Sequence, residues 1–268
     1  MARISNEDRL LYQEKAKSYR EAANAFLLRE KSLLQVLERD EAGAPHMRLN
    51  LVDEMLNLAS IYMVIHGISW SMLGIKNEEA LNDARKTVYK AIIYLEEVVS
   101  PFVDVPFSDY EENLARISTI DATKRYELVR KMGLTIRMLM DAYGENTKWK
   151  WAFVEIEGRF ATVAKNLYDL KSAVQNLDPR SEYYETYVYH LRSIKKLLLQ
   201  AADRYREKYE VSTNRIDDFK LAISYLLALR RIHVLLGERD EAEQIKKKAE
   251  IWQSKLEADH KKRESEHR

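Results

Sequence analysis

Apolar positions recur at helical spacing along this chain from one end to the other. Tyr12, Ala16, Tyr19, Ala23, Phe26, Leu33 and Leu37 fall on a three- and four-residue spacing interrupted at Glu30, which predicts one long amphipathic helix over residues 6–42. Gly43, Ala44 and Pro45 end it, the glycine as a left-handed cap and the proline as a first-turn residue of the next helix. Helix two is predicted from Pro45 to Leu73. Asn77 can cap a third helix, with Glu78 and Glu79 at its positive end, and the apolar pattern continues through Val99.

The helical pattern stops at Ser100-Pro-Phe-Val-Asp-Val-Pro-Phe107. Each proline forces its predecessor out of helical geometry, so this segment is predicted to run extended. Ser108 and Glu111 read as a capping box for a short helix to Ser118, and Asp121 as the cap of a helix that Gly144 stops after Tyr143. Further helices are predicted over 147–177, 179–209, 214–236 and 238–260. The terminal KKRESEHR has no apolar residue to dock and is expected to fray. The expected architecture is therefore all-α: an antiparallel bundle or short irregular solenoid of about nine long helices. Its expected parts are an N-terminal helical bundle (1–100), a two-proline connector (101–107), a C-terminal helical region packed on the first (108–260) and a frayed tail (261–268).

Composition narrows this further. Seven Gly and four Pro in 268 residues are too few for the turns of a sheet protein, so helices are what remain. A net charge of +1 provides no chain-wide field for nucleic acid or an anionic membrane. The charge is uneven, at −5 over residues 1–120, +1 over 121–190 and +5 over 191–268. Residues 91–115 hold Glu96, Glu97, Asp104, Asp109, Glu111 and Glu112 without a single Lys or Arg, so acidic surface is expected around the two-proline segment. The absence of cysteine and of an apolar leader in MARISNEDRLLYQEKAK fits a cytoplasmic protein. Met55–Ile75 is 21 residues without a charged side chain, long enough to span a membrane. Its Asn57, Ser60, His66, Gly67, Ser69 and Ser71 fit the buried centre of a bundle better.

Catalytic and metal chemistry find no foothold in these patterns. The six histidines form no HExxH, and the Glu-x-x-His from Glu264 to His267 lies in the tail. His66 and His233 fall on apolar helix stretches and read as hydrogen-bonded core histidines. No GxSxG, Walker or GxGxxG loop occurs, and carboxylate pairs such as Glu96-Glu97 and Asp217-Asp218 read as helix-end charge or solvated faces. No catalytic residue, metal ligand or cofactor is predicted.

Two aromatic groups remain. Lys148-Trp149-Lys150-Trp151 places its tryptophans two residues apart, so a helix cannot turn both to one core equally. Tyr184, Tyr187, Leu191, Ile194, Leu198 and Tyr205 trace a core seam. Tyr183 and Tyr189 fall off it, beside Arg192, Lys195 and Lys196. Exposed aromatics next to cations anchor protein interfaces. The expected partner-binding set is Trp149, Trp151, Lys148, Lys150, Tyr183, Tyr189, Arg192 and Lys196.

The stretch ALRRIHVLLGERDEAEQIKKKAEIW carries Gly237, Ala242 and Ala249 where small residues let two helices approach, and over 226–256 it resembles a tetratricopeptide-repeat hairpin. Lys246 departs from that pattern, and the 34-residue period is missing. The resemblance implies a peptide- or protein-binding scaffold. The expectation from sequence is a noncatalytic scaffold or adaptor that binds another protein or a second copy of itself, with a homodimer as the first partner to test. The alternative is an enzyme or small-ligand carrier with a polar pocket inside the bundle.

Overall fold

A computed structural model describes residues 5–40, 43–145 and 147–266, with the side chains of 262–264 and 266 left undescribed. The protein is an all-α helical bundle, with ten α-helices and no strand among the described residues. They are α1 (Asn6–Leu37), α2 (Ala44–Leu73), α3 (Glu78–Val98), α4 (Glu111–Ala115), α5 (Ala122–Tyr143), α6 (Lys150–Asn166), α7 (Leu170–Asn176), α8 (Tyr184–Lys208), α9 (Ile216–Leu235) and α10 (Arg239–Glu266). They form two compact units. Among the described residues, one comprises those up to 98 with 116–120 and 127–148; the other comprises 99–115, 121–126 and those from 149 onward.

In the first unit, α2 is the central helix. Leu51, Val52, Met55, Leu56, Leu58 and Ala59 are fully buried, because a helix apolar on most sides satisfies its surface only when neighbours cover it. Among the described residues it is also the one helix long and apolar enough to cross a membrane. Glu30, the break in the α1 pattern, is buried. Its carboxylate accepts from the Lys90 amine at 2.5 and 2.6 Å and from the Tyr94 hydroxyl at 2.6 Å, tying α1 to α3. Lys131 of α5 meets Asp53 of α2 at 2.5 Å. His66 Nδ1 accepts from the Asn77 amide at 3.1 Å, and Asn77 Oδ1 caps α3 through the Ala80 amide at 3.0 Å.

In the second unit, α6 and α8 run antiparallel. Lys150 bonds Glu207 at 2.7 Å near one end, and His190 bonds the Ala164 carbonyl at 2.9 Å near the other. A Cβ on Gly158 would stand 2.5 Å from the Tyr205 ring and 2.7 Å from the Tyr225 hydroxyl, so only glycine lets α6 approach this closely. Tyr205 stacks on Tyr225, and Tyr209 on Phe219. The α9–α10 hairpin turns at Gly237 (φ 73°), with Ala242 and Ala249 buried. Glu238 accepts from Lys195 at 2.5 and 2.6 Å and meets His233 Nδ1 at 2.5 Å.

Several local expectations are corrected. The helix expected over 147–177 is two helices, α6 and α7, because the Asp169 side chain caps a new start by accepting from the Lys171 and Ser172 amides. Ser108 makes no capping box: its hydroxyl donates to Asp109, and a 3-10 turn over Phe107–Asp109 precedes α4. Gly43 has a right-handed φ of −81°, so it is no left-handed cap, while Pro45 does sit in the first turn of α2. Finally, α10 continues to Glu266, beyond the point where fraying is expected; His267 lies outside the described residues.

Candidate functional site

The two-proline segment forms an extended strap over the second unit. Asn166 Nδ2 at the end of α6 donates to the carbonyls of Ser100 (2.8 Å) and Phe102 (3.1 Å), and Asn113 Nδ2 donates to that of Val99 (2.7 Å). Asp104 is clasped by the Arg231 guanidinium of α9 at 2.8 Å. With Pro101 and Pro106 barring helix, the strap's backbone groups are satisfied by side chains instead.

Beneath the strap lies a narrow cleft of about 30 Å³, room for a water or two. Val103, Val105 and Phe107 of the strap, Ile194 of α8 and Ile232 of α9 give it apolar walls. Its polar groups are Lys165, Arg231, Tyr110 and Tyr168. Lys165 is 7 % exposed. Its amine stands 4.8 Å from the Tyr110 ring centroid and donates a long 3.5 Å bond to the Tyr110 hydroxyl. No carboxylate lies within ion-pair distance of it among the described residues. Burial, with the Arg231 charge adding to it and Asp104 opposing, holds the Lys165 amine down to about 8. Burial likewise pushes the Tyr110 and Tyr168 hydroxyls above the usual phenol range. The Tyr168 hydroxyl is buried without a hydrogen-bond partner.

A lysine reaches this position because Gly158, Ala161 and Lys165 share one face of α6, the stripe that packs inward. Buried, unpaired ammonium groups are rare because desolvation costs several kcal/mol.

The model of the TP0443 family matches residues 8–260. The chain belongs to the TP0443 family. No curated protein and no solved structure matches it. In this TP0443-family chain, the matched span includes the strap, α6 and α9, hence every group named in the cleft.

The residues expected to bind a partner do not converge. Trp149 and Trp151 are half-buried at the start of α6, where the Lys150 amine sits 4.7 Å from the Trp151 ring centroid and pairs with Glu207. Lys148 is exposed. Tyr183 is half-buried against the core; Tyr189 is 47 % exposed, with the Arg192 guanidinium 5.7 Å from its ring centroid and Lys196 exposed one turn on. Because α6 and α8 are antiparallel, the tryptophans lie beside Glu207, about 25 Å along α8 from Tyr189. These are two separate surfaces. The acidic stretch is partly neutralised by cations within each unit, since Glu97 pairs with Arg48 in the first, and Asp104 with Arg231 and Glu111 with Lys171 in the second. Sequence reasoning missed Lys165. The available signal was a cation interrupting the inward stripe of a helix, as Glu30 interrupts α1.

Proposed function

We propose that this TP0443-family chain is a noncatalytic binding protein whose second unit takes up a small anionic ligand in the cleft beneath the strap. The observation that carries this reading is Lys165: a buried ammonium with no carboxylate partner among the described residues, in a cleft shared with Arg231. An anion entering the cleft compensates a charge whose burial otherwise costs stability. Titration of the full chain with acetate, octanoate and inorganic phosphate tests it. Saturable binding of at least one of them, weakened tenfold or more in Lys165→Met, is the expected result; binding of none, or binding indifferent to the substitution, refutes it.

The scaffold reading keeps one supporting observation, the exposed Tyr189 with Arg192 against its ring on the outer face of α8. Its first test is self-association. Sedimentation of the wild type beside Tyr189→Ala/Arg192→Ala is expected to show a dimer that the double variant loses, and a monomeric wild type removes this face as a homodimer contact.

A further inference from the structure

Lys165 differs from lysines elsewhere in the bundle. Lys90, Lys131, Lys195 and Lys208 each meet a carboxylate, Glu30, Asp53, Glu238 and Asp218 in turn, which favours their charged form. Lys165 has one long bond, to the Tyr110 hydroxyl, and no carboxylate within ion-pair distance among the described residues. Burial holds its amine down to about 8, so part of the population is uncharged at neutral pH. An uncharged amine has a free lone pair and is a nucleophile.

The space beside this amine takes only a small reagent. The cleft holds about 30 Å³, and its walls are mostly apolar. Arg231 and Leu235 line it and are exposed, so it reaches the surface. Carbon dioxide, three heavy atoms with about the bulk of two waters, fits that space. It is also neutral, so it enters apolar surroundings without shedding the hydration of an ion.

The surrounding charges set what the product would meet. Arg231 of α9 lines the cleft, and its Nη2 donates to Asp104 of the strap at 2.8 Å. That bond uses one N–H of a guanidinium with several more, so Arg231 can bridge Asp104 and a second anion. Asp169 lies beyond the end of α6, where its carboxylate accepts from the Lys171 and Ser172 amides and the Ser172 hydroxyl at the start of α7. Its charge raises the Tyr110 and Tyr168 hydroxyls, while the charges acting on Lys165 are those of Arg231 and Asp104. The Tyr168 ring packs on Tyr187 and His190 and takes no part.

We propose that Lys165 is a modification site for carbon dioxide, its amine forming a carbamate in the cleft it shares with Arg231. The Nζ lone pair attacks the carbon of CO2; an N–C bond forms and one C–O π bond opens, its electron pair passing to oxygen. Nζ loses one proton to water. Amine and CO2 thus give carbamate and a proton, with no change of oxidation state. The modification converts a cation into an anion, so it reverses the charge that Lys165 presents to the cleft. This goes beyond the anion-binding reading and does not rest on it.

The test is carbon-13 NMR of the full chain at pH 8 with carbon-13 bicarbonate, which supplies dissolved CO2, followed by trapping with triethyloxonium and peptide mass spectrometry. The α-amino terminus also forms carbamates and serves as the internal control. The expected result is a trapped carbamate on the Lys165 peptide of the wild type, and loss of the matching NMR signal in Lys165→Met. The wild-type peptide identifies the site without relying on a variant. Arg231→Gln, altered at an exposed position, is expected to lower occupancy at Lys165 severalfold. Label confined to the α-amino terminus, or an NMR spectrum unchanged in a folded Lys165→Met, overturns the proposal. Occupancy unchanged in Arg231→Gln overturns the role given to the guanidinium. Anion binding without a carbamate at Lys165 overturns this inference and leaves the anion reading standing; a carbamate without anion binding does the reverse.

Discussion

Two buried titratable side chains show how single residues shape the second unit. Lys165 is folded into an apolar wall with its charge uncompensated, so it should act against stability. Below pH 8 the amine is charged in both folded and unfolded chains and the whole penalty is present. Between pH 8 and 10.5 the unfolded chain holds the proton and the folded chain does not, so stability rises with pH, and above 10.5 the penalty is gone. Lys165→Met is therefore expected to stabilise the protein at pH 7, by on the order of 3 kcal/mol. Urea denaturation should show that advantage shrinking as pH rises from 8 to 10.5. An advantage independent of pH would mean that packing, not charge, is what Met improves.

His190 is the complementary case. It is 3 % exposed, packed between Tyr126 and Tyr168, and its Nε2–H donates to the Ala164 carbonyl in the last turn of α6. Burial, opposed by that backbone bond and aided by Arg125, pushes it down to about 4. Its neutral form contributes stability that is complete above pH 6.5 and is lost as pH falls through 6.5 towards 4. His190→Gln should cost about 1–3 kcal/mol at pH 7 through the weakened bond to Ala164. It should also flatten the acid limb of the stability curve between pH 6.5 and 4; an unchanged limb would place acid sensitivity elsewhere. The sequence identified His66 and His233 as core histidines from their apolar neighbours. For Lys165 the same neighbours were present, but a lysine on a helix is ordinarily solvated, and only the packing of α6 against α8 and α9 decides otherwise.

At the scale of elements, α6 brings the site together. Its close approach to α8 and α9 depends on Gly158, and its end carries Lys165 and Asn166 to the strap. Gly158→Ala gains helix propensity, but the added methyl meets two tyrosine rings already stacked on one another. A net destabilisation of about 1–3 kcal/mol is expected in urea denaturation. A neutral or stabilising outcome would show that the Tyr205–Tyr225 pair gives way. The strap was legible as an extended segment because two prolines allow little else. What it covers was not, since nothing local to residues 100–108 indicates which helix accepts its backbone. The break between α6 and α7 was equally hidden: Leu170–Asn176 keeps helical spacing, and the Asp169 cap interrupts it without glycine or proline.

For the whole molecule, the two units interleave along the chain. The first unit draws on α5 after the strap, through the buried Val129, Met132, Ile136 and Leu139, the Lys131–Asp53 pair and the Lys76 bond to the Tyr143 carbonyl at 2.8 Å. A fragment of residues 1–100 lacks all of these and leaves apolar surface of α2 and α3 in water. It is expected to melt without cooperativity by circular dichroism, while a fragment of residues 1–148 retains a cooperative transition. A cooperative, fully helical 1–100 fragment would show that α5 is dispensable to this unit.

Scarce turn residues and helical spacing of apolar positions determined the class of this protein, because burying one face every 3.6 residues is enforced by the chain itself. They also determined most helix starts, through short-range caps such as Asn77 and Asp121. The tertiary structure alone decided which polar residues lose their water. Glu30 gains Lys90 and Tyr94 from another helix, whereas Lys165 gains only Tyr110, and that difference depends on side chains 55 to 64 residues away. The cleft exists because such long-range neighbours converge, and solvation is a property of the assembled surface rather than of local sequence.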